Sequence, residues 1–145
     1  MTTTRRFALG TGLAMIILTQ GFSCSTASIS GAELSRTTKD NVAVDPTTAF
    51  KTTDHELHCA ATLSSAPDDT KVRARWIAVK AGDIPANTKI IENVIEAKGA
   101  NHLDFKLTVE KDLPAGDYKV ELALNPEEGK DQPATKTIDF KVAAE

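Results

Sequence analysis

Residues 102–124 read HLDFKLTVEKDLPAGDYKVELAL, and the fold is decided by this stretch. Leu103, Phe105, Leu107 and Val109 alternate with His102, Asp104, Lys106 and Thr108. A period of two puts one apolar and one polar face on an extended strand. Leu113-Pro114-Ala115-Gly116-Asp117 follows, a turn in which proline presets φ and glycine admits backbone angles closed to other residues. Tyr118, Val120, Leu122 and Leu124 then resume the alternation. Two such runs around a turn predict neighbouring antiparallel strands.

The same pattern extends outward in both directions. Upstream, Leu57, Cys59, Ala61 and Leu63 alternate with Glu56, His58, Ala60 and Thr62, and residues 65–69 make a turn. Val72, Ala74, Trp76 and Ala78 form one face of the next strand, with Arg73 and Arg75 on the other. A loop at 82–87 leads to a less regular strand over 88–97, where adjacent Ile90 and Ile91 leave the register open. Downstream, a polar loop at 125–133 precedes Ile138, Phe140 and Val142. With one initial edge strand, these make about seven strands, the number and spacing of an all-β sandwich. Clean alternation implies sheets with one dry and one wet face, as in antiparallel sheets.

The residues at three of these positions resemble the immunoglobulin-like β-sandwich domains of bacterial surface and periplasmic proteins. Cys59 on the second strand and Trp76 on the third sit where that family places its cysteine and tryptophan, and Gly116-Asp117-Tyr118-Lys119-Val120 is similar to its tyrosine-corner segment. The resemblance covers roughly residues 51–145 and implies an immunoglobulin-like antiparallel fold with Cys59, Trp76 and Tyr118 in structural roles. Val120 stands where the second cysteine would be, so the antibody-type disulfide is absent. A fold-level resemblance brings no catalytic residues with it.

The N-terminal third has a different composition. Arg5 and Arg6 precede an apolar run from Phe7 to Thr19, and Gly21-Phe22-Ser23-Cys24 follows. A charged start, a short apolar core and small residues read as a secretory signal over 1–23, too short for a comfortable membrane span. Ser23-Cys24 reads as a lipobox end, making Cys24 the lipidation site and the lipid a membrane anchor. Gly21 and Phe22 depart from the usual lipobox, and cleavage after Ala27 is the rival reading. Residues 24–50, rich in Ser, Thr, Ala and Asp, are expected to be a polar flexible stalk, with Val42 and Val44 able to join an edge strand. The expected layout is thus a signal at 1–23, a stalk at 24–50 and a sandwich at 51–145, in an exported protein of the cell envelope.

Charge and motifs narrow the chemistry. Of 17 basic residues only Arg5 and Arg6 precede Cys24, and the first acidic residue is Glu33. The mature part then carries 15 basic against 20 acidic residues, a net charge of −5. That balance argues against a nucleic-acid partner, which needs a basic face. No nucleophile triad or phosphate loop is present, so no enzyme activity and no cofactor are expected. The alternative is a small copper-type metal carrier using His55, His58 and His102. Strand geometry counts against it, since His55 and His58 point to opposite faces. Cys59 reads as a packed apolar residue, and pairing with Cys24 requires that Cys24 escape lipidation. Arg73, Arg75 and Lys80 form a basic row that either pairs with acids across strands or meets an acidic partner. The leading expectation is a non-catalytic module that contacts a protein or glycan through loops at 67–69, 82–87 and 125–133.

Mass spectrometry of the mature N-terminus checks the anchor. The expected first residue is Cys24 carrying lipid, and an unmodified chain starting at Ser28 removes the lipoprotein reading.

Overall fold

The computed structural model describes residues 27–145, so the signal segment and Cys24 lie outside the described residues. Ten strands follow in order: β1 (Ser28–Ser35), β2 (Thr37–Lys39), β3 (Val42–Val44), β4 (Ala49–Lys51), β5 (Glu56–Ser64), β6 (Lys71–Ala81), β7 (Thr88–Glu96), β8 (His102–Thr108), β9 (Gly116–Leu124) and β10 (Lys136–Ala143). Among the described residues there is no helix. One sheet has the order β1-β5-β8, the facing sheet β4-β10-β9-β6-β7, and β2 and β3 form a separate hairpin. The expected all-β sandwich is present. Its strand exchange is immunoglobulin-like, with the N-terminal strand divided between the two sheets. The pairing is antiparallel except for β4, which runs parallel to β10.

The core lies where the period-two pattern places it. Leu57, Cys59, Ala61 and Leu63 from β5 face Val72, Ala74, Trp76 and Ala78 from β6, and all are buried. Phe140 is the central contact. Its ring stacks on Tyr118 at 5.3 Å and meets Trp76 and Phe50 edge-on at 5.9 and 5.5 Å. Tyr118 Oη donates to the Pro114 carbonyl at 2.6 Å, four residues upstream. That bond ties the turn at 113–117 to the strand that follows it, in the manner of a tyrosine corner. Gly116 is required by close approach, since a Cβ there would lie 2.2 Å from the Lys80 carbonyl oxygen.

Three expectations need correction. The stretch expected as a flexible stalk is folded from residue 28 onward. Strand β1 pairs with β5 from Ser28↔Ser64 to Ser35↔His58, and Leu34 and Phe50 are only 1% and 2% exposed. A few large apolar side chains suffice here because the neighbouring strand supplies the hydrogen-bond ladder. The turn between β2 and β3 has Asp40 and Asn41 at φ 51° and 61°, the paired positive angles of a tight hairpin. Second, the β5 sheet is not wet on its outer side. The β2–β3 hairpin packs across it, and His58 and Ala60 are buried on that side. Third, the ambiguity at Ile90 and Ile91 is a β-bulge: Trp76 pairs with Ile91 and Ile77 with Lys89, which leaves Ile90 without a direct partner.

The correction can be checked directly. A chain beginning at Lys51 loses β1 and Phe50, exposes the edge of β5, and should lose cooperative thermal unfolding. A chain beginning at Ala27 should melt as the mature protein does. A sharp transition in the Lys51 chain restores the stalk reading.

Candidate functional site

The turn at 65–70 and the loop at 125–135 meet at one end of the sandwich. Asn125 N–H donates to the Lys71 carbonyl at 2.7 Å, and Lys71 N–H donates to Asn125 Oδ1 at 3.0 Å. Of the three loops expected to carry contacts, 67–69 and 125–133 therefore share an end, whereas 82–87 lies at the other, where Gly82 packs on Pro114. The 125–135 loop folds back over the outer face of β6 and β7. Between loop and sheet runs a groove whose floor is Arg73, Arg75 and Val94 and whose rim includes Glu127, Glu128 and Asp131.

Two arginines on one strand have different surroundings. Arg75 Nε donates to Glu92 Oε2 and its Nη1 to Asp131 Oδ1, each at 2.6 Å. These bonds, that with Asp131 first, raise the guanidinium further above its usual value. The same contacts hold the Glu92 and Asp131 carboxyls below the usual carboxylate range. Arg75 thus realises the cross-strand pairing expected for the basic row, and it latches the loop to the sheet through Asp131. Arg73 is 5% exposed, and its one hydrogen bond runs from Nη2 to the Gln132 carbonyl at 3.3 Å. Its Nε is buried without a partner. Lys80, the third member of the row, stands opposite Asp117 of β9 near the far end of β6, about 20 Å of strand away, and does not line the groove.

The three histidines of the metal alternative are not brought together. His55 Nε2 lies 2.7 Å from Asp112 Oδ1 on an exposed surface. His58 sits between Asp104 and Glu56, with Nδ1 2.8 Å from Asp104 Oδ2 and Nε2 3.0 Å from Glu56 Oε1. That contact holds the Glu56 carboxyl below its usual value. Thr38 Oγ1 donates to the same Asp104 oxygen at 2.8 Å, so the network clamps the β2–β3 hairpin onto β8. His102 Nδ1 lies near Thr62 Oγ1, four residues along β8 from Lys106, the residue opposite His58. Four residues of strand span about 13 Å, too far for two imidazoles to share one cation. Among the described residues no group of three or more His, Cys, Asp and Glu side chains is placed to hold a metal ion.

Cys59 is fully buried between Leu34 and Phe105, its cross-strand neighbours. Burial, and secondarily the Asp104 charge, push its thiol up to about 12. A thiol at that value is no nucleophile at neutral pH. In the chain beginning at Ala27, where Cys59 is the single cysteine, iodoacetamide at pH 8 should label the native protein far more slowly than the urea-unfolded one. Because the folded value lies above the ordinary 9.0, the Cys59 contribution to stability is complete below pH 9 and lost as pH rises toward 12. Urea midpoints across that window, compared with Cys59→Ala, measure it. Fast native labelling would contradict the burial.

No protein-family model and no curated protein matches the chain. Among solved structures it is similar to the crystal structure of the PmoD soluble domain from Methylocystis sp. ATCC 49242 (Rockwell), with 11% sequence identity and a TM-score of 0.46. The match covers 77% of this chain and 88% of that one. A likeness of that size transfers no residue role.

Proposed function

We propose that this protein is a non-catalytic module of the cell envelope, exported by its N-terminal signal and held at a membrane by lipid on Cys24. It works by contact with a protein or glycan, and the contact surface is the groove between the 125–135 loop and the outer face of β6 and β7. The observation that carries this reading is the latch: the Asp131–Arg75 ion pair holds a polar loop over a sheet face instead of leaving it in solvent. End loops positioned by a rigid sandwich are where binding residues of such folds concentrate.

Binding rather than catalysis is supported by the state of the reactive side chains. The Cys59 thiol is buried in the core. Both ring nitrogens of His58 are engaged by carboxylates, Asp104 and Glu56, and Thr38 donates to Asp104 rather than to that imidazole. Export is supported by the signal read in residues 1–23.

The test is crosslinking in the cells that make the protein, with the native chain and a variant whose residues 126–131 are replaced by Gly and Ser. The variant is expected to melt within a few degrees of the native protein, since the core does not include the loop, and to lose its crosslinked partners. The same crosslinks in both proteins, or a chain retained in the cytosol with Met1 intact, would overturn the reading.

A further inference from the structure

Arg73 is 95% buried with its Nε unpartnered. No carboxylate among the described residues pairs with it. Glu92 and Asp131 feel its charge through space, but both are bonded to Arg75. Its single partner, the Gln132 carbonyl, is neutral and distant at 3.3 Å. A guanidinium in such a place is costly unless an anion completes it. Lys71, the next outward-facing residue on β6, also lines the groove and has no ion pair among the described residues.

We propose that the groove binds a carboxylate side chain of an extended peptide from a protein partner, received by Arg73 and Lys71. A carboxylate displaces a neutral carbonyl from a guanidinium because it brings the opposite charge and can accept two parallel N–H bonds from the fork. The proposal rests on the contact reading above and deepens it by naming the chemistry of the partner.

Three features favour a peptide with one acidic side chain over a polyanion or a sugar. The lining is mixed in sign, with Glu92, Glu127, Glu128 and Asp131 set among Lys71, Arg73, Arg75, Lys89 and Lys130, so it suits one acidic side chain better than an extended run of negative charge. The groove has no aromatic platform for a sugar ring, since Phe50, Trp76, Phe105, Tyr118 and Phe140 are all buried in the core. Its floor includes Val94, 52% exposed on β7, the outermost strand of its sheet. A strand edge beside an exposed apolar side chain suits an extended peptide whose residues beside the acid are apolar.

The experiment titrates the mature protein with acetyl-Thr-Val-Glu-Val-Thr-amide, its Gln counterpart and polygalacturonate, following the Arg73 Nε–H resonance by NMR and the melting temperature. The Glu peptide should shift that resonance saturably and raise the melting temperature, and the Gln peptide should bind at least tenfold more weakly. Arg73→Lys keeps the charge but loses the fork of donors, and should weaken the Glu peptide by at least tenfold. Arg73→Met should abolish binding without lowering the melting temperature, a combination a purely structural arginine would not show. Equal binding of the Glu and Gln peptides, unchanged binding by Arg73→Lys, or a fall of many degrees in Arg73→Met would overturn the proposal. Polygalacturonate binding without peptide binding would overturn the peptide assignment. An unresponsive Arg73 resonance removes this site alone, whereas crosslinks that ignore the 126–131 loop remove the contact reading beneath it.

Discussion

The Phe140 ring is the contact around which the five-stranded sheet is ordered. It stacks on Tyr118 and takes the edges of Trp76 and Phe50, so four strands of one sheet present an aromatic side chain to the same volume. Aromatic pairs of this geometry contribute about 0.5–1.5 kcal/mol each beyond the area they bury. The directional consequence matters more. A slip of one residue in β6, β9 or β10 would turn its ring to solvent, so the cluster specifies the register of all three. With Trp76 directed inward, Arg73 and Arg75 must point outward, and the groove acquires its floor.

Phe50 extends that constraint to the N-terminal part of the chain. Its ring holds β4 beside β10, while β1 is zipped to β5 in the opposite sheet. The chain must therefore cross between the sheets from residue 36 to residue 48, and the β2–β3 hairpin occupies that crossing. Thr38, Asp104 and His58 fasten the hairpin over β5 and β8, which explains why polar His58 is buried on a face that alternation alone assigns to solvent.

On the other sheet, two arginines two residues apart show how neighbours decide the fate of equal charges. Arg75 meets Glu92 across the strand pair and Asp131 from the loop, and its charge is consumed in holding the architecture. Opposite Arg73 stand Val94 on β7 and Ala123 on β9, neither of which can answer a guanidinium. Desolvation by the overlying loop then leaves Arg73 as an unmatched charge. Such a residue costs stability unless an external anion completes it.

The strands from 56 onward, apart from the register of β7, were legible in the sequence because each carries its own period-two pattern, which is a local property. Trp76 and Tyr118 were legible as core for the same reason. The fold of residues 28–50 was not, because β1 to β4 contain few large apolar side chains and owe their order to partners distant in the chain; the Asp40-Asn41 pair was the one local sign of a hairpin. Of the groove, the sequence alone determined the ingredients: a basic row on β6 and an acidic loop between β9 and β10. Only the tertiary structure decided that Arg75 is neutralised, that Arg73 is not, that Lys80 belongs elsewhere and that the three histidines stand apart. Pairing depends on which side chains lie opposite across strands, and those distances are set by register and loop path rather than by order along the chain.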